Sequence, residues 1–229
     1  MNDLEQFLNN NQNGREICKF KHYLTVYDRH LTRFRNKPIT VVEIGVGHGG
    51  SLQMWKSYFG KEAKIYGVDK NDVREVEEDQ IKILVGKQED TNFLDELIKT
   101  TGPIDVLIDD GGHEPFEQKT TFDYLWKHIA PNGIYICEDT FHSYSDTPQH
   151  PGSFVEYSKF LADYVNDAYW NNSNKKEEFC SVSGLSFYLN LVIIEKWILD
   201  YAGGKRIGSV LLKDTPPYRI KPNGERETI

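Results

Sequence analysis

Two pairs of adjacent carboxylates are the residues of this chain best suited to chemistry. Asp109 and Asp110 end the apolar run IDVLIDD, and Glu138 and Asp139 end the later run GIYICED. Carboxylates that lie close together repel one another unless a cation neutralises them. Oxygen ligands of this kind suit a hard divalent cation such as Mg²⁺. The two pairs predict a divalent cation site if the fold brings the ends of both runs together.

A histidine follows the first pair. His113 lies three residues after Asp110, behind two glycines. A neutral imidazole can take the proton of a hydroxyl group whose acidity a bound cation has raised, so His113 is a candidate general base. Two alternatives stay open. The Asp-x-x-His spacing also occurs in non-haem iron sites, which usually offer two histidines, and an Asp-Asp pair is often only a helix cap with a solvated neighbour.

The segment VVEIGVGHGGSLQMW carries a glycine-rich turn. Gly45, Gly47 and Gly50 fit the G-x-G-x-x-G pattern between a predicted strand and a predicted helix. This pattern is typical of nucleotide-binding turns, because backbone without side chains lets a ligand come close. An ordinary strand-to-helix turn is the alternative.

Two acidic residues indicate which nucleotide such a turn would bind. Glu43 lies two positions before Gly45, where dinucleotide-binding folds usually have an apolar residue. A carboxylate there favours a cationic ligand such as S-adenosylmethionine over NAD. Asp69 ends the next predicted strand and is suited to accept hydrogen bonds from ribose hydroxyls, and residues 86–90 follow the third strand, beside the adenine. Both acids could instead be solvated strand ends.

Strands and helices must alternate along the chain to position these residues. The predicted strands are residues 39–45, 63–69, 81–86, 104–110 and 133–139, with a late pair within 179–196. The predicted helices are residues 16–34, 49–59, 91–101, 117–129 and 154–170, with Thr91 as a candidate cap. This order predicts a doubly wound α/β fold, with a mostly parallel Rossmann-like sheet and helices on both faces. Ligands bind such sheets at the carboxyl ends of the strands, where all the candidate residues fall.

Length and composition narrow the remaining possibilities. The 229 residues predict a single domain, with an N-terminal helical region (1–38), a Rossmann-like core (39–196) and a C-terminal surface tail (197–229). The polar loop 140–153 has the length of a lid. A net charge of −8 argues against a nucleic-acid partner, and three cysteines without a CxxC pair argue against zinc and disulfides. We expect no signal peptide and no membrane span, hence a cytoplasmic location.

Four motifs together resemble one known family. VEIGVGHGGSLQMWKSYFG, IYGVD, LIDDGGHE and ICEDTFHSY are similar, in order and spacing, to class I S-adenosylmethionine-dependent methyltransferases. The resemblance is to the sugar O-methyltransferases of macrolide and glycoside tailoring, which include the mycinamicin and rhamnosyl-tetracenomycin enzymes. It extends over residues 16–196, and its most specific part is DDGxH followed by ED.

The resemblance implies a function and roles for individual residues. It implies Mg²⁺-assisted transfer of a methyl group from S-adenosylmethionine to a sugar hydroxyl, on a small-molecule, nucleotide-linked or glycan acceptor. It implies His113 as general base, with Asp110, Glu138 and Asp139 as metal ligands. The candidate cofactor-binding residues are Glu43, Gly45, Gly47, Gly49, Ser51, Asp69, Gln88, Asp90 and Asp109.

The chain also departs from that family. Gly112 replaces a frequent serine, and the loop after Thr140 is shorter than the glycine-rich lid of many relatives, which leaves acceptor specificity open. We expect this chain to lack the N-terminal oligomerisation region of relatives, so a homo-oligomer is only one alternative. His142, Tyr144 and Tyr169 are candidates for an acceptor pocket or for plain packing. Rival functions are catechol-type O-methylation, a nucleotide-binding module without catalysis and, with least support, an NAD-dependent oxidoreductase.

Overall fold

A computed structural model provides the fold of residues 1–144, 151–166, 181–197, 218–220 and 225–228. The strands of the main sheet are β1 (Thr40–Ile44), β2 (Lys64–Asp69), β3 (Ile81–Val85), β4 (Ile104–Asp109), β5 (Ile129–Cys137), β6 (Val182–Tyr188) and β7 (Leu191–Lys196). The helices are α1 (Asp3–Asn10), α2 (Lys21–Leu31), α3 (Gly50–Phe59), α4 (Thr91–Thr101), α5 (Pro115–Leu125) and α6 (Phe154–Asn166).

The seven strands form one sheet in the order β3-β2-β1-β4-β5-β7-β6. Strands β1 to β5 run parallel, and β7 pairs antiparallel with both β5 and β6. The chain order reverses between β1 and β4, and this reversal opens a crevice at the carboxyl ends of those two strands. The predicted doubly wound, mostly parallel fold is confirmed.

Both faces of the sheet are buried, because successive residues of a strand point to opposite sides. Val41 belongs to the apolar core on one face and Val42 to the core on the other. The first core includes residues of α1, α2 and α3, and the second includes residues of α4, α5 and α6. The helices therefore cover the two faces of the sheet in two groups of three.

Helix starts follow local capping chemistry. The side chain of Asp90 caps α4 by accepting from the amides of Asn92 and Phe93, so the expectation that Thr91 caps this helix was wrong. Helix α5 begins at Pro115, two residues before the predicted start, because proline suits the first turn. The sequence pattern did not predict α1, which a capping box between Asn2 and Glu5 initiates.

The predicted helix 16–34 is shorter in the structure. Helix α2 starts at Lys21, and the backbone of Phe20 before it is extended. The residues before Phe20 cross the start of α3, where a β-carbon added to Gly50 would lie 2.4 Å from the carbonyl oxygen of Glu16. A helix through this segment would therefore run into α3, and a segment without regular secondary structure passes over it instead.

The C-terminal region contains regular structure where the sequence predicted only a surface tail. Strands β8 (Tyr218–Ile220) and β9 (Arg226–Thr228) form an antiparallel pair. The predicted helix end at 167–170, the middle of the predicted lid at 145–150 and residues 198–217 lie outside the described residues. Within the described ranges, every helix is too short or too polar to cross a membrane.

Candidate active site

The ends of β4 and β5 meet, as the sequence required for a shared acidic site. The two strands are parallel neighbours, and Asp109 is in register with Cys137, so Asp110 and Glu138 follow at the same edge. Strand β1 lies on the other side of β4, where Ile44 is in register with Asp109. Three strands thus bring Glu43, Asp110 and Glu138 to one place.

A lysine that the sequence reasoning missed lies at the centre of these carboxylates. Nζ of Lys19 is 2.6 Å from Oδ2 of Asp110, 2.9 and 3.0 Å from the two carboxylate oxygens of Glu138, and 3.1 Å from Oε1 of Glu43. The Lys19 side chain is only 2% exposed. The irregular segment before α2 brings this ammonium group to the acidic edge of the sheet.

Burial and charge act against each other in this cluster. Burial disfavours the charge of Lys19, but Glu138, Glu43 and Asp110 outweigh it and hold the pKa of Lys19 above its usual value. Burial raises the pKa of Asp110, and Lys19 opposes that rise. Burial likewise raises the pKa of Glu138 against the effect of Lys19. The four side chains therefore form an ion cluster in which Lys19 donates hydrogen bonds to Asp110 and Glu138 and pairs with Glu43 by charge.

The predicted metal ligands fall into two overlapping groups. Among the described residues, Asp110, His113 and Asp139 place one ligand atom each within 4.8 Å of one another, and so do Glu43, Asp110 and Glu138. Asp110 belongs to both groups. Asp139 has a positive φ of 52°, and its side chain accepts a hydrogen bond of 2.8 Å from the hydroxyl of Tyr23. Glu138 and Asp139 thus point to different sides of Asp110.

His113 lies beside the outer of these two groups. Its Nε2 is 4.0 Å from Oδ2 of Asp139, and its ring stacks on His142 at 5.1 Å between centroids. Its φ of +61° is unusual for a residue with a side chain. The buried Nδ1 has no hydrogen-bond partner among the described residues. The stack on His142 therefore holds the plane of the imidazole, and its Nε2 lies on the side of Asp139.

A cleft with two connected cavities runs along this edge of the sheet. The first, of about 220 Å³, is lined by Asp69, Gln88 and the glycines 86, 111 and 112, among other residues. The second, of about 380 Å³, is lined by Lys19, Gly47, Ser51, Asp110, His113 and Asp139, among others. Gly45, Asp69 and Gly111 line both cavities. The cleft thus leads from the ends of β2 and β3 to the imidazole of His113.

The glycine-rich turn is held against its neighbours. Oδ2 of Asp69 accepts from the amide of Val46 at 3.1 Å and from that of Gly47 at 3.4 Å. Gly45 has a φ of +89°, and a β-carbon there would lie 1.9 Å from the carbonyl oxygen of Asp110. Only glycine fits this close approach of β1 to the end of β4.

Gln88 and Asp109 form a hydrogen-bonded support for the turn after β4. The Gln88 amide donates to Oδ1 of Asp109 at 2.9 Å and accepts from the amide of Gly112 at 2.9 Å. The hydroxyl of Tyr135 donates to the other carboxylate oxygen of Asp109 at 2.6 Å. Burial raises the pKa of Asp109, and the bonds from Tyr135 and Gln88 oppose that rise. Asp109 lines neither cavity, so its described contacts hold the backbone that carries Asp110 and His113.

Other predicted cofactor residues also lie outside both cavity linings. Glu43 lines neither cavity and accepts a hydrogen bond of 2.6 Å from the hydroxyl of Ser51. Gly49 caps α3 with a φ of +77°. Asp90 caps α4, and it also lies outside both linings. Their contacts with a cofactor remain predictions.

A chain of aromatic ring contacts leads away from His113 through His142. The ring of His142 lies 4.3 Å from that of Phe141, and Phe141 meets the edge of Phe20 at 6.2 Å. Phe20 and Phe141 are 44% and 41% exposed. Tyr144 is exposed nearby along the chain, whereas Tyr169 lies outside the described residues. Exposed rings beside an imidazole offer a surface on which an acceptor could lie.

Comparisons with known proteins agree with the geometry. Residues 42–140 match the family model described as a methyltransferase domain. The chain is 35% identical over 202 residues to mycinamicin VI 2''-O-methyltransferase of Micromonospora griseorubida, an alignment of 80% of this chain and 50% of that protein. It is 35% identical over 200 residues to demethylmacrocin O-methyltransferase of Streptomyces fradiae, with the same coverage of 80% and 50%.

A solved structure shows the same fold. The MycE methyltransferase of the mycinamycin pathway, in complex with Mg, SAH and mycinamycin VI, aligns with a TM-score of 0.79 and 32% identity. The alignment covers 93% of this chain and 57% of that one. The chain thus spans about half the length of the curated relatives it matches. The resemblance inferred from the motifs is confirmed.

Proposed function

Since residues 42–140 form a methyltransferase domain, we propose that this chain transfers a methyl group from S-adenosylmethionine to a sugar hydroxyl with the help of a divalent cation. The observation that carries the proposal is the cleft that joins the glycine-rich turn to His113 and the carboxylates of Asp110 and Asp139. A methyl donor and an acceptor hydroxyl can meet in such a cleft. Relatives whose names specify O-methylation of glycosylated compounds support a sugar as the acceptor.

The first cavity suits the adenosine part of the donor. Asp69 lines it at the end of β2, next to the glycine-rich turn, which is where a ribose diol finds a carboxylate in nucleotide-binding sheets. Gly45 and Gly111 line both cavities without side chains, so a ligand can extend from one to the other. A sulfonium donor supplies the electrophilic methyl group, and S-adenosylhomocysteine is the product.

The outer group of side chains suits a hard cation. Two carboxylates and an imidazole within 4.8 Å, partly open to the cleft, offer oxygen ligands and leave room for acceptor oxygens. When bound there, Mg²⁺ would increase the acidity of an acceptor hydroxyl. Asp110 and Asp139 would bind the ion. Glu138 would also bind it if the hydrogen bonds from Lys19 to Glu138 were broken.

His113 would then take the proton of the acceptor. The proton moves to the imidazole as the hydroxyl oxygen forms its bond to the methyl carbon and the carbon–sulfur bond breaks. The stack on His142 fixes the ring plane of His113. The rings of Phe20 and Phe141 can position a sugar face, while burial of the acidic cluster excludes water from its inner side. Positioning of this kind contributes on the order of 7–11 kcal/mol in favourable cases.

Catechol-type O-methylation is the second candidate, because the exposed rings of Phe20 and Phe141 would also stack on a flat acceptor. A turnover assay that detects S-adenosylhomocysteine separates the two candidates. Turnover with glycosides that carry vicinal hydroxyls and none with catechols would support the sugar acceptor. The reverse pattern would replace it, and no turnover with either would favour a nucleotide-binding module.

Thermal unfolding tests the donor and the cation before any acceptor is known. A ligand that binds only the folded state raises the melting temperature. We expect a rise with S-adenosylhomocysteine that Mg²⁺ enlarges, and none with NAD⁺. Asp69→Asn should reduce the rise, whereas the matched variant Asp72→Asn should keep it, because Asp72 is exposed and paired with Arg74. A rise with NAD⁺ alone would refute the proposed methyl donor.

A further inference from the structure

Lys19 and a divalent cation need the same oxygen atoms. The ammonium group of Lys19 contacts Oδ2 of Asp110 and both carboxylate oxygens of Glu138, at 2.6, 2.9 and 3.0 Å. Asp110 and Glu138 are both predicted metal ligands. We propose that Lys19 is an internal competitor of the divalent cation, which holds these carboxylates until the cation displaces it and thereby sets the cation affinity of the site. This inference rests on the cation-assisted part of the proposed function.

Space enforces the competition. Mg²⁺ approaches its ligand oxygens to about 2.0–2.1 Å, so an ammonium group in hydrogen-bonding contact with the same three oxygens must move away first. Glu138 is only 1% exposed, and both of its oxygens are already used by Lys19. Glu138 therefore cannot bind a cation while Lys19 keeps its present position.

Charge makes the exchange favourable. With all three carboxylates ionised, Glu43, Asp110 and Glu138 would carry three negative charges against the single positive charge of Lys19, an excess of two. A divalent cation balances that excess, whereas the ammonium group alone does not. Like charges that are this close favour any added cation.

Lys19 also has a partner left after the exchange. Its Nζ is 3.1 Å from Oε1 of Glu43, and that oxygen has no hydrogen-bond donor among the described residues. Lys19 itself lines the second cavity, so its flexible side chain has space into which to shift. A buried lysine that lost every partner would be strongly unfavourable, and Glu43 prevents this.

The test compares Mg²⁺ binding by metal-stripped wild type and variants, measured by isothermal titration calorimetry. Lys19→Met removes the charge and keeps an unbranched side chain one atom shorter, and Lys19→Arg keeps the charge. Lys21→Met is the matched control, since Lys21 is exposed two residues away. We expect Lys19→Met to bind Mg²⁺ at least about tenfold more tightly, because one positive charge close to the ion has been removed. Lys19→Arg and Lys21→Met should bind no more tightly than wild type.

Thermal unfolding provides a second readout on the same proteins. Lys19→Met should melt below wild type in chelator and recover more of its stability than wild type when Mg²⁺ is added, because the cation replaces the missing charge. If Lys19→Met folds in neither condition, the double variant Lys19→Met/Glu43→Gln, which buries one negative charge fewer, takes its place in the titration and is compared with the single variant Glu43→Gln. The double variant should then bind Mg²⁺ more tightly than the single variant.

The outcomes separate this inference from the proposed function. Equal or weaker Mg²⁺ binding by Lys19→Met, with measurable binding by wild type, would overturn the competition and leave a cation site in place. Absence of Mg²⁺ binding in both proteins would overturn the cation-assisted mechanism and the competition together. If Lys19→Met and Lys21→Met both bind Mg²⁺ more tightly, the loss of any nearby positive charge explains the effect. That result would also overturn the competition.

Discussion

Replacing Gly45 tests a close backbone contact of the candidate site, where the ends of β1 and β4 meet. An alanine β-carbon at this position would lie 1.9 Å from the carbonyl oxygen of Asp110, 1.5 Å short of the 3.4 Å at which ordinary contact begins. Because the clashing oxygen belongs to the backbone of Asp110, the ends of β1 and β4 must move apart. Gly47 lies in the same turn and also has a positive φ, of +51°, but nothing lies within 4 Å of an added β-carbon there. Gly47→Ala is therefore the matched control.

The expected magnitudes follow from these two environments. A left-handed backbone costs a non-glycine residue roughly 1–2 kcal/mol, and both variants lose that much. Overpacking adds roughly 1–3 kcal/mol for Gly45→Ala alone. For a chain of this size each kcal/mol shifts the melting temperature by about 2–4 °C. We expect Gly45→Ala to melt roughly 4–8 °C below Gly47→Ala, which corresponds to a difference of about 2 kcal/mol.

Thermal unfolding followed by circular dichroism measures this difference, and a titration with S-adenosylhomocysteine measures its effect on the cleft. Gly45→Ala should also bind S-adenosylhomocysteine more weakly than Gly47→Ala, because displacement of the Asp110 backbone deforms both cavities that Gly45 lines. Equal melting temperatures of the two variants would show that the carbonyl of Asp110 does not press on Gly45. The close approach of β1 and β4 at the cleft would then be incorrect.

Three further perturbations test the site and the fold. His113→Ala should reduce methyl transfer by roughly 10²–10⁴-fold, the usual contribution of a general base, and leave the affinity for S-adenosylhomocysteine unchanged. His128→Ala, at the opposite edge of the sheet, should keep full turnover. Asp139→Asn should reduce the stabilisation by Mg²⁺ in thermal unfolding, and an undiminished effect would remove Asp139 from the ligands. Burial lowers the pKa of His30 against the opposing effect of Glu195, so the unfolded chain binds protons more readily. Stability should therefore fall as the pH drops below about 6.5, and His30→Gln should show a smaller drop in urea unfolding than exposed His48→Gln.

The sequence determined the fold and the location of the site by short-range patterns. Apolar runs that end in glycine or in acidic residues predicted the strands, and their alternation with helices predicted a parallel sheet. Parallel strands expose their carboxyl ends at one edge, so Asp69, Asp110 and Glu138 had to lie at that edge. The sequence alone therefore places the residues from the glycine-rich turn to Asp139 at one edge of the sheet.

The tertiary structure alone decided which side chains face the cleft and which support it. Glu138 and Asp139 are adjacent in sequence, yet Glu138 contacts Lys19 and Asp139 contacts Tyr23, because a left-handed backbone at Asp139 turns the chain. Asp109 and Asp110 are also adjacent in sequence but have different partners. Asp109 accepts a hydrogen bond from Gln88, and Asp110 accepts one from Lys19. The direction in which a side chain points at the end of a strand depends on a few backbone dihedral angles that residue types do not specify.

Lys19 shows most clearly what local sequence does not predict. Lys19 and Lys21 stand two residues apart in CKFK, and local sequence does not distinguish them. The first is buried among three carboxylates, whereas the second lies exposed at the start of α2. What separates them is the path of the irregular segment before α2 over α3, which brings Lys19 to carboxylates from 24 to 119 positions further along the chain. The sequence determined the sheet and its acidic edge through local periodicity, and the cation at the centre of that edge was decided by contacts between distant segments.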